Sequence, residues 1–98
     1  MKKWLIVGNG GGPHDGLVEG EPGFRHRVKW VGASFAPKPN WTTLTGTLRV
    51  LFGGVEAWSQ PFTGGAEFNV NLLAADGASV RVVCEAAVVR AHGESEPA

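Results

Sequence analysis

The fold is decided by residues 78–90: Ala78-Ser79-Val80-Arg81-Val82-Val83-Cys84-Glu85-Ala86-Ala87-Val88-Val89-Arg90. On one parity Ala78, Val80, Val82, Cys84, Ala86 and Val88 are all small and apolar. Alternation with period two puts such side chains on one side of a strand, against a core. The other parity opens polar, at Ser79 and Arg81, and then turns apolar at Val83, Ala87 and Val89. Read this way, the stretch is one long closing strand. Its second apolar face, at Val83, Ala87 and Val89, needs a second cover, from its own chain or from another copy, and the expectation is that a lone unit this small does not hide it.

The residues upstream share the pattern. Ala66, Phe68, Val70, Leu72 and Ala74 alternate inward against Glu67, Asn69 and Asn71. Before them, Val55 to Phe62 is a returning strand whose Pro61 marks an edge or an end. Leu44, Leu48, Val50 and Phe52 form the inner face of the strand before that. Gly53-Gly54, Gly64-Gly65 and Ala75-Asp76-Gly77-Ala78 are tight turns, and Asp-Gly is the strongest short hairpin signal. From residue 43 onward the chain therefore reads as an antiparallel meander of four strands.

Phe24 to Phe35 is the other long strand. Phe24, His26, Val28 and Trp30 share one face and Arg25, Arg27 and Lys29 the other. Glu21-Pro22-Gly23 is a turn, with Pro presetting φ and Gly accepting a positive φ. Leu17-Val18-Glu19 is a brief strand. Trp4-Leu5-Ile6-Val7 is a short strand or extended arm, and Gly8-Asn9-Gly10-Gly11-Gly12-Pro13 breaks regular structure after it. Two prolines in Ala36-Pro37-Lys38-Pro39-Asn40 make a loop or a crossover between sheets. The fold expected is all-β: a small antiparallel β-sandwich or partly open barrel with a Gly-rich N-terminal arm. Residues 1–16 are the flexible arm and its loop, 17–91 the β domain, and 92–98 a frayed polar tail.

Ninety-eight residues make one domain, and a formal net charge of zero removes the bulk attraction that nucleic-acid binders use. Zero charge also lets copies of the chain approach one another. Lys2 and Lys3 followed by Trp4-Leu5-Ile6-Val7 imitate a signal peptide, but the apolar run is shorter than the about 7–15 residues of a secretory segment. No run approaches the ~20 residues of a membrane span. The expectation is a soluble protein without a cleaved signal, cytoplasmic or part of a virion. The sequon Asn40-Trp41-Thr42 then has no role. The single cysteine, Cys84, lies on the apolar parity and reads as a core residue.

No catalytic constellation emerges. The third glycine of a dinucleotide fingerprint would fall on Pro13, and no helix follows. His14, Asp15, His26 and His92 match no metal-ligand spacing. His26 reads instead as a half-buried histidine bonded to backbone or to Glu19. No cofactor, no metal and no enzymatic activity are expected. Partner contacts are expected from Trp4, Trp41 and Trp58, since an exposed Trp offers large contact area with few rotamers to freeze. Arg25, Arg27 and Lys29 add a basic stripe about 13–14 Å long, open to an acidic partner or neutralised by Glu19 and Glu21.

The first functional reading is a non-catalytic structural module that self-associates or docks on a larger assembly. A phage capsid decoration or tail accessory protein is the architectural analogy. Its binding residues are Trp4, Trp41, Trp58, Arg25, Arg27, Lys29, Val83, Ala87 and Val89. A second reading is a carbohydrate-binding module that stacks sugars on Trp41 and Trp58. A third is a small inhibitor or regulator that docks through the basic strand face.

Overall fold

The computed structural model describes residues 2–8, 16–35, 45–84 and 87–98. In them, eight strands run in the order β1 (Lys2–Gly8), β2 (Leu17–Val18), β3 (Phe24–Phe35), β4 (Thr45–Phe52), β5 (Val55–Thr63), β6 (Gly65–Leu73), β7 (Val80–Val83) and β8 (Ala87–Pro97). They form two four-stranded antiparallel sheets, β1-β8-β3-β6 and β2-β7-β4-β5. The sheets pack face to face as a sandwich, without barrel closure. The Gly-rich stretch from Asn9, His14, Asp15, the proline loop, Trp41, Leu44, Glu85 and Ala86 lie outside the described residues.

The core lies between the sheets. Ile6, Val28, Val31 and Val89 from the first sheet meet Leu48, Val50, Val80 and Val82 from the second, with Cys84 buried among them. Full burial of an aliphatic side chain contributes about 1.5–3 kcal/mol. This layer is therefore the main source of stability.

The deciding stretch is two strands, and that corrects the first reading. β7 pairs with β4 in the second sheet, whereas β8 runs between β1 and β3 in the first. Val80, Val82 and Cys84 point inward before the crossover; Ala87, Val89 and Ala91 point inward after it. Ala87 is 2% exposed and Val89 1%. Apolar residues on both parities record a change of sheet, with the inward parity reset on the way. Ala87 and Val89 are covered by their own chain and present no outer face. Val83 alone of the three stays half-buried, on the outer side of β7.

Two more expectations change. Residues 92–97 are no frayed tail but the second half of β8, hydrogen-bonded to strands on both sides. Of the two readings of the first segment, the strand holds: Lys2–Gly8 is an edge strand of the first sheet. The expected meander is also absent: among the described residues only β4 and β5 form a hairpin, at Gly53 and Gly54. The turns at Gly64 and Gly77 carry the chain from one sheet to the other. A positive-φ glycine reverses a chain as readily in an arch between sheets as in a hairpin. Pairing was inferred from the turn alone, and the turn does not specify it. Other expectations hold. Phe24 N–H donates to the Glu21 carbonyl at 3.1 Å across the Pro22-Gly23 turn, with Gly23 at φ 85°. β5, which carries Pro61, is an edge strand.

Candidate functional site

The basic stripe is already engaged. Arg25 Nε donates to the Ala74 carbonyl at 3.0 Å. Arg27 donates one guanidinium nitrogen to Asn71 and the other to Glu96, the latter at 2.9 Å. Lys29 Nζ lies 3.2 Å from Glu94. The neutralising carboxylates thus come from β8 and not from Glu19 and Glu21. Partly exposed pairs of this kind contribute at most about 1 kcal/mol each. They compensate two of the three positive charges, and Arg25 is held by a neutral carbonyl.

Two of the tryptophans singled out also turn inward. Trp4 packs on the core with its ring edge toward His26, at 6.2 Å between centroids. It sits opposite Gly93, where an added Cβ would collide with the Arg27 carbonyl oxygen and with the Trp4 ring. Trp58 reaches across the sandwich to Phe68, 5.4 Å away and edge-on. A bulge between Val50 and Leu51 makes Trp58 pair with Val50 and Glu56 with Leu51, leaving Ala57 extra. Neither indole is a free stacking platform.

His26 and Ser95 form a buried polar pair, with Nδ1 2.7 Å from Ser95 Oγ and Nε2 2.8 Å from the Glu19 carbonyl oxygen. A carbonyl only accepts, so Nε2 carries the proton and, in the neutral ring, Ser95 donates to Nδ1. A serine bonded to histidine evokes nucleophilic catalysis, but Ser95 is only 4% exposed. The pair satisfies polar groups beneath Trp4. Among the described residues no group of His, Cys, Asp and Glu could hold a metal ion. Among them also, no helix is long and apolar enough to cross a membrane.

The surface features that remain converge on the outer face of the first sheet. Directly opposite residues of an antiparallel pair share a face. Trp30 lies opposite His92 on one side and Asn69 on the other. Gly32 lies between Arg90 and Glu67, and Ser34 between Val88 and Gly65. On the far side of β8, Leu5 faces His92 and Val7 faces Arg90. Trp30 and His92 stack at 5.5 Å with 13° between their planes. Beside them an open depression of about 600 Å³ is bordered by Trp30, Gly32, Ser34, Glu67, Val88 and Arg90. Leu5 and Val7, 68% and 60% exposed, continue the apolar surface to the edge of the sheet.

Trp30 was expected in the core with Phe24, His26 and Val28. A bulge between Val28 and Trp30 shifts the register, so that Val31 and Ala33 are buried and Trp30 turns outward. The signal was present: the apolar positions pass from even numbers (Val28) to odd ones (Val31, Ala33, Phe35) within one strand. The aromatic wall of the outer face thus comes from a residue assigned to the interior, and its stacking partner from a residue assigned to the tail.

Comparison with protein-family models, with curated proteins and with solved structures finds no match to this chain.

Proposed function

We propose that this protein is a non-catalytic interaction module that associates through the free edge of β1, with a second copy of itself as the partner. The supporting observation is the exposure of Leu5 and Val7 on a seven-residue strand whose outer edge pairs with nothing among the described residues. An unpaired strand edge is a template for another strand.

The other edges are guarded. β2 has two residues, β5 carries Pro61 and Glu56, and β6 presents Glu67, Asn69 and Asn71. β1 has charge only at Lys2 and Lys3, and Trp4-Leu5-Ile6-Val7-Gly8 has none. Antiparallel pairing of two β1 strands about Ile6 sets Leu5 of each copy beside Val7 of the other. It also sets Trp4 opposite Gly8 and keeps the lysines apart at the two ends. The contact is isologous and closes as a two-fold dimer. Docking on a larger assembly, of which a viral shell is one kind, would use the same edge. The basic-face reading loses its support because Arg25, Arg27 and Lys29 are bonded within the chain.

Cysteine cross-linking tests the pairing. An equimolar mixture of Leu5→Cys and Val7→Cys chains should form the mixed disulfide faster than either forms its own. Val55→Cys, at an exposed position on the guarded β5 edge, should form no disulfide between copies. Equal rates for all pairs would refute β1 pairing. Cys84 is buried and stays out of the reaction.

A further inference from the structure

We propose that the depression over Gly32 is a carbohydrate site that holds a neutral hexopyranose unit of an oligosaccharide. It lies on β3, two strands from the β1 edge, and does not depend on pairing there.

The floor is built on glycine. Gly65, opposite Ser34, has no side chain and is exposed, so the sheet is bare there, while the Gly32 backbone beside it is buried. A Cβ placed on Gly32 would lie 2.8 Å from Trp30 Cη2, so the indole is seated over this glycine. Its stack on His92 fixes the ring, and a fixed indole offers an apolar wall to the C–H face of a sugar at small entropic cost.

Arg90 and Glu67 bracket Gly32 from the two neighbouring strands, about 10 Å apart at the usual strand spacing. Among the described residues neither has an ion-pair partner. A guanidinium only donates and a carboxylate only accepts, so together they match the paired donor and acceptor character of adjacent hydroxyls. Their charges cancel. An anionic ligand would be repelled by Glu67 and a cationic one by Arg90, which favours a neutral, hydroxyl-rich ligand. The Ser34 hydroxyl adds one more donor and acceptor. The volume falls within the roughly 300–1,000 Å³ of small-molecule sites, and the open mouth suits one unit of a longer chain. The sugar reading therefore moves from Trp58 to Trp30, while Trp41 lies outside the described residues.

The test is amide NMR of the full chain titrated with cellotetraose, maltotetraose, mannotetraose and chitotetraose, with an oligogalacturonide as the acidic comparison. At least one neutral sugar should shift the Trp30 indole N–H and the amides of Gly32, Ser34 and Glu67 in a saturable way at millimolar concentration. Trp30→Ala and Glu67→Ala should each weaken that binding at least about tenfold. Glu67 is exposed, so its variant keeps the fold even if Trp30→Ala does not. Val55→Lys, at an exposed position on the other sheet, should bind as the parent does. The site is overturned if no neutral sugar moves these signals, if only the acidic one does, or if binding survives Glu67→Ala.

Discussion

Val89 carries the largest change of meaning at the scale of single residues. As an outward residue it would tolerate a charge; as a core residue at 1% exposure it cannot. Val89→Ala should cost about 1–3 kcal/mol in urea unfolding, from lost burial and an imperfectly closed cavity. Val89→Asp should leave no folded population, since an unpaired buried carboxylate costs more than a small domain can spare. Ser95→Ala makes a second check. It strands His26 Nδ1 without its donor and should cost about 1–3 kcal/mol. Single-residue identities were legible where local chemistry decided them: Cys84 in the core, His26 bonded to backbone though buried rather than half-buried, and Gly23 at positive φ. They were illegible where one inserted residue reversed a face, as at Lys29 before Trp30 and at Ala57 before Trp58.

At the scale of elements, β8 holds the first sheet together. Its second half pairs Lys2, Lys3, Trp4 and Leu5 on one side and the first half of β3 on the other. Deleting residues 92–98 should abolish cooperative thermal unfolding, whereas removal of a frayed tail would leave the transition temperature unchanged. Strand existence was legible from Phe24 to Leu73 because alternation and glycine turns are local signals. Strand order was not. Whether a glycine turn closes a hairpin or an arch depends on which sheet the next strand joins. That choice is made by burial across the sandwich: Phe68 meets Trp58 from the facing sheet, with no sequence neighbour involved. The polar run His92 to Pro97 looked like solvent-exposed chain because charge density is high there. Those same charges are what bind Arg27 and Lys29 on β3.

For the whole molecule, β1 pairing would join two four-stranded sheets into one eight-stranded sheet with a continuous outer face. The two Gly32 depressions would then lie on the same side, five strand spacings or about 24 Å apart. A polymer long enough to span both would gain avidity without any new contact. The central claim is that one chain covers its own core yet leaves the β1 edge for a second copy. Sedimentation velocity on the full chain over a wide concentration range measures this directly. It should give twice the 10.3 kDa chain mass at high concentration. Leu5→Lys and Val7→Lys should return the chain to its single mass, and Val55→Lys should leave the dimer intact. A single-chain mass at every concentration, or a dimer that persists in the Leu5 and Val7 variants, would contradict the account.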